Sequence, residues 1–69
     1  MSGGTYKLIE LVGTSTESFE DAVNNAVKEA AKSLKNLCWF EVVEKRGHIA
    51  DGKVSEYQVK VKVAFKILK

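Results

Sequence analysis

The chain has no proline, one cysteine, one histidine and one tryptophan, and each shortage closes off a class of solution. A lone Cys38 excludes an intrachain disulfide, and with His48 as the only histidine no Cys/His cluster is available for structural zinc. Without proline, low-complexity tracts or internal repeats, nothing marks a linker. Residues 1–69 are therefore read as one domain, with residues 1–4, including Ser2, Gly3 and Gly4, as a flexible leader. No stretch approaches the ~18 apolar residues of a membrane span. The opening MSGGTYK lacks the plan of a signal peptide, so the expected compartment is the cytoplasm, where a lone thiol stays reduced. No block of one charge stands out either: the net charge is +2, and the later lysines alternate with apolar residues as on a solvated strand face. Catalysis also lacks its parts. There is no Ser/His/Asp set, no Cys/His pair with an orienting acid and no glycine-rich phosphate loop, so an enzyme is not expected.

What remains is a chain of 69 residues with 45% hydrophobic and 29% charged side chains, an ordinary globular balance. A domain of this size buries only about 60% of the surface its unfolded chain exposes. Small scaffolds hold together through disulfides, metals or partner subunits. With the first two removed, oligomerisation is the expected staple.

The residues Tyr6 to Val12, rich in aliphatic and aromatic side chains and closed by Gly13, predict a strand, with Thr14, Ser15 and Thr16 as a polar turn. Ser18 followed by Asp21 is a capping-box-like helix start. Behind it, Phe19, Ala22, Val23, Ala26, Val27, Ala30, Ala31 and Leu34 recur at helical spacing, predicting a helix from Ser18 to Asn36. Its stripe is rich in small residues, which suits close approach to a sheet. A second strand runs from Trp39 to Ala50, the pair Asp51-Gly52 is a strong hairpin signal, and a third strand covers Val54 to Leu68. The fold class is α+β, in the order βαββ, with a three-stranded antiparallel sheet wrapped around one helix.

A two-residue loop at Asp51 and Gly52 pairs Ala50 with Lys53. Counting back, Arg46 then faces Tyr57, Val42 faces Val61, Phe40 faces Val63, and Gln58 faces Lys45. Phe40, Val42, Tyr57, Val59, Val61 and Val63 become the helix-covered core. Trp39, Glu41, Val43 and Lys45 fall on the opposite face with Gln58, Lys60, Lys62 and Ala64, while Arg46 points to the helix side. A bulge near Gly47 would break this count. An indole on the outer face has two readings, a subunit interface or a stacking platform for a planar ligand, and a ligand at an interface satisfies both. Gln58 lies on the order of 20 Å along the sheet from Trp39 at ~3.3 Å per residue. A small ligand touching both would have to lie between subunits.

Several segments together resemble the dodecins: Ile9-Glu10-Leu11-Val12-Gly13-Thr14-Ser15, the alanine-rich helix, Trp39-Phe40-Glu41-Val42, Arg46-Gly47-His48, and Gln58-Val59. The resemblance runs from about Tyr6 to Phe65. It implies a hollow homododecamer of 23 symmetry that stores flavin and quenches its photochemistry. It further implies that Trp39 stacks on the isoalloxazine ring, that Gln58 hydrogen-bonds the ring's polar edge, and that Arg46 contacts the flavin. The implied ligands are FMN or riboflavin, with lumichrome as a degradation product, and coenzyme A at the three-fold axes.

The residues leave rivals open. Glu41, Glu44 and Glu56 suit a hard cation where symmetry gathers several copies, though no metal ligand set is assigned within one chain. A structural oligomer without a flavin is a second possibility. A single-strand nucleic-acid binder is a third, with Trp39 stacking on bases, but near-neutral charge and the lack of further exposed aromatics count against it. Neither nucleic acid nor membrane is an expected partner. His48 and the tyrosines Tyr6 and Tyr57 read as structural.

Overall fold

The fold is that of a computed structural model of the chain, which describes residues 3–68. Its elements are strand β1 (Thr5–Ser15), helix α1 (Phe19–Ser33), strand β2 (Leu37–Ala50) and strand β3 (Lys53–Ile67). All three strands are antiparallel in the order β1-β3-β2, so β3 is central and both β1 and β2 are edges. This is the expected βαββ arrangement. Of the leader expected at residues 1–4, residues 1 and 2 lie outside the described residues, and Gly3 and Gly4 belong to no element.

The helix starts where the capping pattern placed it. The Ser18 side chain accepts from the Asp21 backbone N–H at 3.0 Å, satisfying one of the orphan donors of the first turn. The Asp21 carboxylate turns the other way and accepts from the Ser15 hydroxyl at 2.7 Å. Ser15 Oγ also accepts from the Glu17 backbone N–H at 2.8 Å. That knot ties the end of β1 to the start of α1, and β1 continues past Gly13 through Thr14 and Ser15, two of the three residues expected in the turn. At its other end the helix stops at Ser33 rather than Asn36: Leu34 is already extended and Asn36 takes the left-handed conformation at φ 64°. β2 consequently begins two residues earlier than expected, at Leu37.

Ala22, Ala26 and Ala30 form the buried stripe of α1, and Ala22 and Ala26 pack with Val59, Val61 and Val63 of β3, with Ile9 and Leu11 of β1 alongside. Each fully buried valine contributes about 2 kcal/mol of transfer free energy. The closest approach is at Gly13, where an added Cβ would lie 2.0 Å from the Ala22 carbonyl oxygen and 2.8 Å from Ala26 Cβ. Only hydrogen fits there, so the glycine sets how near the helix sits to β1.

The hairpin forms at Asp51 (φ 54°) and Gly52 (φ 73°), two consecutive positive φ values that define a type I′ turn and match the strand twist. Ala50 pairs with Lys53, Val42 with Val61 and Phe40 with Val63, as counted from the turn. Between those points the count fails. The register shifts by one between His48 and Ile49, where Ser55 has no partner, and shifts back between Val42 and Glu44, where Val43 has none. These two bulges cancel by Val42 and displace the stretch between them, so Tyr57 faces Gly47 instead of Arg46, and Gln58 faces Arg46 instead of Lys45; a further shift lies between Leu37 and Trp39. Arg46 thereby moves to the outer face, away from the helix. Lys45 moves to the helix face, with Nζ 5.5 Å from the centre of the Phe19 ring.

A second correction concerns coverage. Phe40 and Val42 do face the helix side, but α1 lies over β1 and β3, and both residues remain nearly half exposed. Apart from Leu37, every residue of β2 is exposed.

Candidate ligand-binding face

The outer face of the sheet carries two separate groups of side chains. At one end stand Trp39, Tyr6, Leu8 and Ala64. Trp39 pairs with Ala64 and Leu8 pairs with Ala64 from the other side, so the small central residue is fully buried between two large ones. The rings of Tyr6 and Trp39 lie 4.9 Å apart at 54°, a tilted contact that props the indole from the β1 side. Trp39 nonetheless keeps 47% of its surface exposed.

At the other end is a chain of polar contacts. Arg46 Nε donates to Gln58 Oε1 at 2.7 Å, and Gln58 Nε2 donates to Glu56 Oε1 at 2.9 Å. Arg46 also lies 3.6 Å from a Glu44 carboxylate oxygen, which Lys60 Nζ approaches to 3.7 Å from the neighbouring cross-strand pair. Charge alternates along the series from Lys60 through Glu44 and Arg46 to Gln58 and Glu56. Beside it, His48 Nδ1 is 2.8 Å from Ser55 Oγ, and Ser55 donates to the His48 carbonyl at 3.1 Å. The hydroxyl proton is thus committed to the carbonyl, so Nδ1 is the donor in the other contact. These two bonds close the bulge at the unpaired Ser55 and give His48 a structural part.

Of the three site residues read from the sequence, two come together, Arg46 and Gln58. The third, Trp39, sits opposite Ala64, six positions along β3 from Gln58, or about 20 Å away at about 3.3 Å per residue. One chain therefore presents a flat aromatic surface and a hydrogen-bonding cluster on the same face without joining them. Sequence reasoning missed Tyr6 as the neighbour of Trp39 and Glu56 as the second partner of Gln58. Strand alternation alone could have found Glu56, because it lies two residues before Gln58 and so shares its face.

A concavity of about 490 Å³ lies on the opposite side of the sheet, between α1 and β2, lined by Phe19, Val23, Phe40, Val42 and Lys45 among others. It is the space left by the helix not reaching β2. Among the described residues no group of three or more His, Cys, Asp or Glu side chains is placed to hold a metal ion. Nor is any described helix long and apolar enough to cross a membrane.

Comparison with known proteins agrees with this architecture throughout its length. The dodecin family model matches residues 5–68. A dodecin of Thermus thermophilus is 49% identical over 65 residues, covering 94% of each chain. A calcium dodecin of Mycobacterium tuberculosis is 32% identical over 62 residues, covering 90% of this chain and 87% of its own. The solved structure of a dodecin from Streptomyces coelicolor superposes with a TM-score of 0.94 at 45% identity, covering 100% of this chain and 99% of that one. With the family model matching residues 5–68 and relatives alike over nearly the whole chain, the chain belongs to the dodecin family.

Proposed function

We propose that this chain is a flavin-storage protein that works as a hollow dodecamer of 23 symmetry, holding flavins between subunits and quenching their photochemistry. The observation that carries this reading is the half-exposed indole of Trp39 on the outer face of an edge strand that its own chain leaves uncovered. A rigid π-surface in that setting suits a planar ring, and face-to-face contact with an electron-rich indole quenches a flavin's excited state. Gln58 supplies the complementary chemistry, an amide with both donors and acceptors for the ring's polar edge. Arg46 adds a cation beside it, on the ligand side of the sheet because of the two bulges.

The 20 Å gap within one chain, at about 3.3 Å per residue, is bridged when a neighbouring subunit brings its Gln58 and Arg46 to this subunit's Trp39. FMN and riboflavin both fit such a site, since the stacking and the edge contacts engage the ring system they share. The one Ser–His contact, Ser55 with His48, is taken up in closing the bulge through the His48 carbonyl, and the role is binding rather than catalysis.

The test is a titration of FMN and riboflavin fluorescence with ligand-stripped protein beside a Trp39→Ala variant. Saturable quenching at about one flavin per chain, lost in the variant, is the expected result. An assembled wild-type protein that leaves flavin emission unchanged would remove flavin storage as the function.

A further inference from the structure

The amide of Gln58 is held by two partners of opposite hydrogen-bonding character. A guanidinium has only donors and a carboxylate only acceptors, so Arg46 fixes the oxygen of the amide and Glu56 fixes its nitrogen. The reversed amide would set its oxygen against the Glu56 carboxylate and its NH2 against the guanidinium, losing both bonds. The terminal torsion of a glutamine has no strong preference of its own, so the orientation is set by these neighbours. Each amide group offers two N–H donors and two oxygen lone pairs, and one of each is used here, leaving one of each for a ligand.

Resting on the flavin-storage reading, we infer that Glu56 is a positioning residue: it holds the Gln58 amide in the one orientation that accepts the N–H and receives the carbonyl of a cyclic imide. The imide edge of a flavin ring carries an N–H between two carbonyls. Its N–H donates to Gln58 Oε1, and one of its carbonyls accepts from Gln58 Nε2. Arg46 secures the oxygen from across the hairpin, and Glu56 adds the bond that holds the nitrogen end of the amide. Glu56 is the only partner of that nitrogen among the described hydrogen bonds, and it reaches it from the same strand two residues away. The bond is charge-assisted, which strengthens its hold relative to a neutral acceptor.

The test compares riboflavin with its N3-methyl derivative, which stacks equally well but cannot donate from the imide. Both are titrated by fluorescence quenching against the wild type, Glu56→Thr and Glu56→Gln, after size-exclusion chromatography has matched their assembly. The wild type is expected to favour riboflavin over the methyl derivative by about tenfold, the worth of one directed hydrogen bond. In Glu56→Thr, whose side chain is too short to reach Gln58, that ratio falls toward one. In Glu56→Gln, which keeps an acceptor at the same reach, the ratio is largely restored. A merely structural role for Glu56 weakens both ligands together and leaves the ratio at its wild-type value, which overturns the inference. Should the threonine variant fail to assemble, Glu56→Ala carries the same comparison. Failure of the wild type to quench riboflavin at all sinks the flavin reading and this inference with it. Quenching of both ligands alike by the wild type sinks only the inference.

Discussion

Arg46 and Gln58 face one another across β2 and β3, with the guanidinium Nε donating to the amide oxygen at 2.7 Å. A regular hairpin from the same turn would put Arg46 on the helix side and leave Gln58 opposite Lys45. The pairing exists because one extra residue on β3, Ser55, is later matched by one extra residue on β2, Val43. Bulges re-aim side chains without disturbing the strand ends, and here the residues re-aimed are the cation and the amide of the outer face.

The exposed β2 predicts that stability depends on assembly. Trp39, Phe40, Val42, Val43 and Ile49 of one strand, with Val54 beside them, all remain solvent-exposed in the single chain. Anything that binds the folded state stabilises it by mass action, so dilution is expected to lower the melting temperature. Calorimetric scans over a hundredfold range of protein concentration check this. A melting point that does not move, with a monomer-sized species in solution, counts against it.

Gly13 is expected to tolerate no side chain. An alanine Cβ there would meet the Ala22 carbonyl oxygen, which is backbone and cannot step aside without shifting the helix. Gly13→Ala should destabilise by about 3 kcal/mol, the upper range of overpacking in a core. Urea denaturation followed by far-UV circular dichroism measures it, and a loss under half that size would show that the helix moves easily.

Removing the helix cap should have a smaller, local effect. Ser18→Ala deletes the acceptor for the Asp21 backbone N–H and is expected to destabilise by about 1 kcal/mol. Ser18→Asp keeps the acceptor and should recover most of that loss. Equal stability of the alanine and aspartate variants would mean that the cap bond adds nothing.

Glu44 touches both Arg46 and Lys60, yet its carboxylate is half exposed and both contacts exceed 3.5 Å. Exposed ion pairs add little, so Glu44→Gln should change stability by no more than about 0.5 kcal/mol. The same urea titration, repeated at low and high salt, shows whether the network is stronger than its geometry suggests.

Most of the architecture was legible because local signals agreed with one another. The Asp51-Gly52 turn, the Ser18 cap and the alanine stripe each specify one structure, and each stands where the residues put it. The outer face of the hairpin was legible only in part. A bulge does lie beside Gly47, between His48 and Ile49, but Val43 and Ser55 are ordinary strand residues that do not mark where the extra residues fall, so the faces of Lys45 and Arg46 came out reversed. The coverage of Phe40 and Val42 was not legible for a different reason: alternation reports which side a residue faces, while the path of the helix over β1 and β3 decides what covers it. Of the candidate site, Trp39 and Gln58 were placed on the outer face by alternation together with the register counted back from the turn. Of their supports, Glu56 shares the face of Gln58 by alternation, while Tyr6 comes from a contact that depends on side-chain direction.

The strand that presents Trp39 and Arg46 is also the strand its own chain secures least. A lone subunit thus has half a grip, and that half is carried on its least covered element. On the flavin-storage reading, ligand capture follows a threshold: below the concentration at which subunits associate, scattered chains leave the ligand free. Above it, each completed contact adds a finished site. On that reading, retention is governed by the total amount of protein rather than by the affinity of any one chain.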